Sequence, residues 1–117
     1  MAKINELVNL ILKIDGVTNY ILVRDDGHTL SHNFNNLEAL PSIVTFNGLN
    51  CEALKPLMGL TYFKYLSYTR KNDEKLLIFP LGKYFLGILQ QPEAYTPDIV
   101  DKVGIVLDAI SRKKTNT

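Results

Sequence analysis

The stretch that decides the fold begins at the corner Ile14-Asp15-Gly16-Val17. It continues through Tyr20-Ile21-Leu22-Val23-Arg24, turns at Asp25-Asp26-Gly27-His28 and returns along Thr29-Leu30-Ser31-His32-Asn33. The first four residues read as the passage from a helix to a strand, with Gly16 suited to the helix exit. Asp26-Gly27 reads as a two-residue type I′ turn, because both central positions of that turn take positive φ and its twist matches the flanking strands. Tyr20 to Arg24 and Thr29 to Asn33 are therefore expected to pair as an antiparallel hairpin.

Working outward toward the N-terminus, Ile4, Leu7, Val8, Ile11 and Ile14 recur at helical spacing while Lys3, Glu6, Asn9 and Lys13 fall elsewhere. Residues 3 to 14 are thus predicted to be a core-packing helix. After the hairpin, Asn35-Asn36 marks a loop, and a second helix is expected from near Leu40, with Pro41 tolerated in its first turn. Its end is placed near Lys55, since a residue preceding proline is pushed away from helical geometry. At about 100° per residue this helix carries two apolar stripes. Leu40, Ile43, Val44, Asn47, Cys51 and Leu54 form the one assigned to a sheet, and Phe46, Leu49 and Ala53, with Leu57 if the helix continues, form the other. A helix lying on a monomeric sheet needs one apolar face, so the second stripe asks for a further partner. The competing expectation is that the loops at 34 to 39 or 55 to 61 fold over it.

Thr61 to Arg70 is rich in strand formers, among them Tyr62, Phe63, Tyr65, Leu66 and Tyr68. Lys71-Asn72-Asp73 is a polar turn, and Lys75 to Leu81 is apolar on both faces, as for a strand covered above and below. Pro80 lacks an amide donor and belongs at a strand end or bulge. Leu81-Gly82-Lys83 turns into a last strand, Tyr84 to Gln90. Thr96 is an expected N-cap with Pro97 at the first helical position and Asp98 at the positive end of the macrodipole. Ile99, Val100, Val103, Val106, Leu107 and Ile110 make the inner face of that closing helix, and Arg112, Lys113 and Lys114 suit its end. The fold class is α+β, a five-stranded antiparallel sheet with helices on both faces in the order α-β-β-α-β-β-β-α. It forms one domain over residues 1–114 with a frayed tail at 115–117.

A chain of 117 residues is large enough to bury a core without staples. Cys51 is the single cysteine, which excludes an intramolecular disulfide, a cysteine-rich zinc site and a redox pair. The N-terminal segment carries an acid in an amphipathic pattern rather than a signal peptide, and the apolar runs fall far short of the ~20 residues that span a bilayer. A soluble, cytoplasmic protein is expected. With 13 Lys+Arg against 12 Asp+Glu, a net charge of +1 gives no electrostatic case for nucleic acid or an anionic membrane.

Chemistry-bearing residues are few. His28 and His32 would share a sheet face but are too few for a closed zinc site, and exposure on the hairpin explains them. Asp25 and Asp26 are accounted for by turn formation. Ser31 and His32 are strand neighbours that point to opposite faces, which rules out a direct nucleophile–base contact. No G-x-x-x-x-G-K-[ST] loop is present. Cys51 reads as an inert buried thiol. The rings of Tyr62, Phe63, Tyr65 and Tyr68 could stack on bases, but only Lys64, Arg70 and Lys71 accompany them, and interface or core packing fits better. No catalytic residue, cofactor or metal ligand is assigned.

The element order, together with Ile14-Asp15-Gly16-Val17, the hairpin from Tyr20 to Gly27, the long helix before the aromatic strand, Leu76-Leu77-Ile78 and Leu86-Gly87-Ile88-Leu89, resembles the roadblock/dynein light-chain family, a profilin-like arrangement. The resemblance covers nearly the whole chain. It implies homodimers or heterodimers, with the second helix and the following strand at the interface and two sheets joined edge to edge. On this basis the dimer interface is expected at Phe46, Leu49, Ala53, Leu57, Tyr62, Lys64, Leu66 and Tyr68. It further implies a non-enzymatic adaptor or scaffold that partners a small Ras-like GTPase and regulates it. An activator often supplies an arginine, yet none of Arg24, Arg70 and Arg112 is singled out. The alternatives are a small-ligand sensor with a pocket between sheet and helices, or a structural light-chain-type subunit without regulatory effect.

Overall fold

A computed structural model describes residues 2–36, 39–59, 65–69, 73–81 and 83–115. The elements follow as α1 (Ala2–Leu12), β1 (Val17–Arg24), β2 (Thr29–His32), α2 (Leu40–Met58), β3 (Leu66–Thr69), β4 (Lys75–Leu81), β5 (Tyr84–Gln90) and α3 (Thr96–Thr115). The five strands form one antiparallel sheet in the order β2-β1-β5-β4-β3. The predicted class and element order are thus those observed. Helix α3 carries one residue into the expected tail, whose last two residues lie outside the described ones.

Each sheet face has its own core. Leu7 and Ile11 of α1 and Ile99, Val100 and Val103 of α3 pack on Tyr20, Leu22, Leu77, Phe79, Leu86 and Ile88. On the opposite face Val44 of α2 packs on Ile21, Val23, Leu76, Ile78 and Phe85. The alternation of β1, β4 and β5 between these clusters is why their sequences read apolar throughout. Full burial of each large aliphatic or aromatic side chain contributes roughly 1.5–3 kcal/mol.

The hairpin turn differs from its expectation. Gly27 is left-handed at φ 93°, while Asp26 is not among the residues with positive φ. The Gly27 N–H donates to Arg24 C=O (2.9 Å) and the Arg24 N–H to His28 C=O (2.8 Å), and the β1–β2 register slips between Leu22 and Val23. This is a three-residue loop closing through a glycine bulge, which needs positive φ only at the glycine and spares Asp26 the cost.

Helix α2 also overruns its predicted end. It continues through Pro56 to Met58 and stops at Gly59, left-handed at φ 70°, whose N–H reaches the carbonyls of Lys55 and Pro56. Pro56 lies in the last turn, where it removes one helical hydrogen bond, and Gly59 supplies the C-terminal cap. Helix α1 stops at Leu12, yet Ile14 remains buried. At α3, the Asp98 and Ile99 N–H groups donate to Tyr95 C=O (3.1 and 3.3 Å), so Tyr95 rather than Thr96 occupies the capping position. The Thr96 hydroxyl instead donates to Gln90 Oε1 (3.1 Å) and accepts from Lys75 Nζ (3.4 Å), and Gln90 Nε2 donates to Ala94 C=O (3.1 Å). This clip satisfies the fully buried Gln90 amide and ties the start of α3 to the sheet. Pro80 is the penultimate residue of β4, near a strand end as expected.

Candidate functional site

Two glycines set how closely α2 approaches the sheet. A Cβ on Gly48 would lie 2.5 Å from the Phe85 ring, and one on Gly87 would lie 2.8 Å from Ile21 Cγ2 and 3.2 Å from Val44 Cγ2. The helix therefore seats Gly48 on Phe85 and Val44 over Gly87. Its buried residues are Val44, Thr45, Gly48 and Cys51. Ile43 and Leu54, assigned to the sheet-facing stripe from sequence, are instead 46% and 42% exposed. The misplacement has a physical cause: the true inner face carries a threonine and a glycine, so apolar periodicity pulled the inferred face around toward Ile43 and Leu54.

The outer face is the conspicuous surface. Phe46 is 64% exposed, Leu49 47% and Leu57 81%, with Ile43, Leu54 and Met58 beside them and Ala53 also exposed. No charged residue falls on this half of the helix. Its two charged residues, Glu52 and Lys55, lie toward the sheet side and pair at 2.8 Å. Apolar exposure on this scale is uncommon on the surface of a monomer and is the feature of this structure that asks for a function.

The face runs into the sheet edge. Strand β3 is an outer strand, and the Tyr68 hydroxyl donates to Asn47 Oδ1 (2.6 Å), whose Nδ2 in turn donates to Ile43 C=O (2.8 Å). Tyr68 is 44% exposed. Leu66, on the same side of β3, turns inward onto the α2 core. The ring of Tyr65 points to the other face and contacts Phe79 at a centroid distance of 5.9 Å. The structure leaves Phe46, Leu49, Ala53 and Leu57 exposed on α2 and ties Tyr68 to the same helix through Asn47, with Leu66 packed on the core beneath. Tyr62 and Lys64 lie outside the described residues. Ile43, Leu54 and Met58 were missed as surface residues. The signal that could have found Ile43 and Leu54 is Gly48, whose lack of a side chain mid-helix centres the inner face on itself.

Elsewhere the chemistry is sparse. His28 and His32 are exposed, with His32 Nδ1 accepting the Phe34 N–H (3.2 Å). Cys51 is buried, and that burial pushes its thiol pKa up. Arg24 is held by Asp26 at 2.7 Å. Among the described residues no cluster of histidine, cysteine and carboxylate side chains could hold a metal, and no helix is long and apolar enough to cross a membrane. Two hollows of about 310 and 300 Å³ adjoin at Asp15 and Lys102 between the ends of α1 and α3. Both are open to solvent.

No family model and no curated protein matches the sequence. Solved structures do resemble it. The gliding protein MglB from Thermus thermophilus superposes with a TM-score of 0.76 at 18% identity, over 100% of this chain and 94% of that one. The Roadblock/LC7 domain from Streptomyces avermitilis gives 0.70 at 13% identity over 96% of each chain. An MglB with tetrameric arrangement gives 0.72 at 17% identity, over 95% of this chain and 86% of that one. The chain is a roadblock-like domain in fold.

Proposed function

We propose that this protein is a non-enzymatic, cytoplasmic adaptor that dimerises through α2 and β3, binds a small Ras-like GTPase and modulates its GTP hydrolysis. The observation that carries the reading is the uncharged apolar outer face of α2, continuous through Asn47 and Tyr68 with an outer strand of a roadblock-like sheet. Such a face is poorly suited to water and well suited to a second protein surface. An MglB that this chain resembles has a tetrameric arrangement, which fits a self-associating domain. The interface comprises Phe46, Leu49, Ala53, Leu57 and Tyr68, joined by Ile43 and Leu54. Tyr62 and Lys64, expected from sequence to join it, lie outside the described residues, and Leu66 packs beneath it against the α2 core. The roadblock-like fold supports the GTPase partner in this reading.

Any stimulation of hydrolysis is proposed to work by ordering the GTPase's own machinery rather than by donating an arginine. The test has two stages. Light scattering across a dilution series is expected to give a mass of twice 13.2 kDa, and the double variant Phe46→Glu with Leu49→Glu a folded monomer. Candidate small GTPases are then captured and their GTP hydrolysis timed with and without the protein. Stable capture with unchanged hydrolysis would make it a structural subunit. A tight dimer in the double variant would move the interface elsewhere.

A further inference from the structure

The two hollows between α1 and α3, about 310 and 300 Å³, share Asp15 and Lys102 in their linings and so form one groove. Each has the volume of a small ligand site, about 300–1,000 Å³. The first is apolar at its base, where the buried Ile14 meets the half-buried Val106. The second is polar and holds Asp15, Asp98 and Tyr95. Ile105, 69% exposed, lines the first, and Tyr95, 67% exposed, lines the second. Outside α2 no large apolar or aromatic side chain among the described residues is more exposed than these two.

Charge changes sign along the groove. Lys13 and Lys102 stand with Asp15 around the apolar hollow, whereas Asp15 and Asp98 stand with Lys102 around the polar one. All four side chains are exposed, and among the described residues none of them forms an ion pair. Asp98 and Lys102 are four positions apart on one helix, a spacing that favours pairing, yet they stay apart. A ligand with the opposite order of charge would meet a complementary surface along the whole groove.

We propose that this groove docks a short segment of a partner protein, with an arginine in the polar hollow and an aliphatic side chain beside a carboxylate in the apolar one. The planar fork of an arginine can reach two carboxylates and stack on a tyrosine ring, which a lysine ammonium does less well. The aliphatic side chain covers Ile14 and Val106, and the carboxylate answers Lys13 and Lys102. Tyr95 and Ile105 are separated by roughly 15 Å at about 1.5 Å per helical residue, a span that an extended segment covers in about four or five residues. Helices α1 and α3 pack on the sheet face opposite α2, so the site does not depend on the association proposed for α2.

The probe is a phage library of random peptides of about eight residues, long enough to span the groove, panned on the purified full chain. Enriched sequences are then titrated as synthetic peptides by NMR. They are expected to carry an arginine about three to five positions from a leucine, isoleucine or valine, and to shift the amide signals of residues 13–16 and 95–106. The double variant Asp15→Asn with Asp98→Asn changes no shape at these exposed positions, and its spectrum reports its fold in the same experiment. It should weaken binding by about tenfold or more, because it removes the charge that meets the arginine, and lysine in place of the peptide's arginine should weaken binding too. Phe46→Glu with Leu49→Glu should leave it unchanged. A library without binders, binders without arginine, or full affinity in the double asparagine variant overturns the proposal. Binding abolished by Phe46→Glu with Leu49→Glu would place the peptide on α2 and overturn it equally.

Discussion

At the scale of single residues, two side chains make separate predictions. Thr45 is 9% exposed on the inner face of α2, and its hydroxyl is buried without a hydrogen-bond partner. A buried unpartnered hydroxyl costs about 1–3 kcal/mol, and valine has nearly the same shape. Thr45→Val is expected to stabilise the fold by about 1 kcal/mol in urea denaturation, and a loss of stability would show that the hydroxyl is satisfied in solution. Asp26 answers to pH. Its carboxyl lies at about 2 because the Arg24 guanidinium, and secondarily the His28 N–H, donate to the ionised form. A folded pKa below the unfolded one gives stability that is present above the ordinary carboxylate pKa of ~3.9 and is lost as pH falls toward 2. Since the pair is exposed, the contribution is small and weakened by salt. An NMR titration should place the Asp26 midpoint near 2 in wild type and closer to the ordinary range in Arg24→Gln; coincident midpoints would remove the ion pair. Neither feature was legible beforehand. Asp26-Gly27 announced a turn, but whether one residue or two would be left-handed depended on where the strands came into register, which local sequence does not encode.

Elements were read more securely than their faces and ends. The apolar rows Ile4-Leu7-Val8-Ile11 and Ile99-Val100-Val103 gave two helices whose burial follows the pattern because one side of each is strongly apolar. Helix α2 was legible as a helix with two apolar sides, yet its rotation was misjudged because its contact with the sheet is made by a missing side chain. That contact yields the prediction at this scale. Gly48→Ala raises helix propensity by about 1 kcal/mol, so an exposed glycine replaced in this way would stabilise. Here the added Cβ would stand 2.5 Å from the ring of Phe85, itself fully buried, and overpacking of that kind costs about 1–3 kcal/mol. Net destabilisation is expected, relieved in the double variant with Phe85→Leu relative to the sum of the single changes. An additive pair would mean that α2 does not rest on Phe85. The helix end at Pro56 was misplaced for a related reason. A proline one turn from a left-handed glycine removes little that the terminus had not already given up, so Gly59, not Pro56, was the stop signal.

For the whole molecule, the question is whether the apolar outer face of α2 is part of the folding unit or is held in reserve for association. The sequence supplied both answers, an external partner or a covering loop, because hydrophobic periodicity reports that a face is apolar and not what covers it. In the folded chain Phe46 and Leu49 are 64% and 47% exposed, so the chain's own core draws little on them. Substitutions at exposed positions usually change stability by less than ~0.5 kcal/mol. The melting temperature should therefore separate the two answers through its dependence on concentration. If association stabilises the native state, wild-type Tm climbs as protein concentration rises above the dimer dissociation constant. The double variant Phe46→Glu with Leu49→Glu should melt at one temperature throughout. At the dilute limit the two proteins should converge to within a few degrees, since ~1 kcal/mol shifts Tm by roughly 4–8 °C in a domain near this size. If the variant melts far below dilute wild type, the face is covered within the chain. A wild-type Tm that is flat across concentration would remove dimerisation as its purpose.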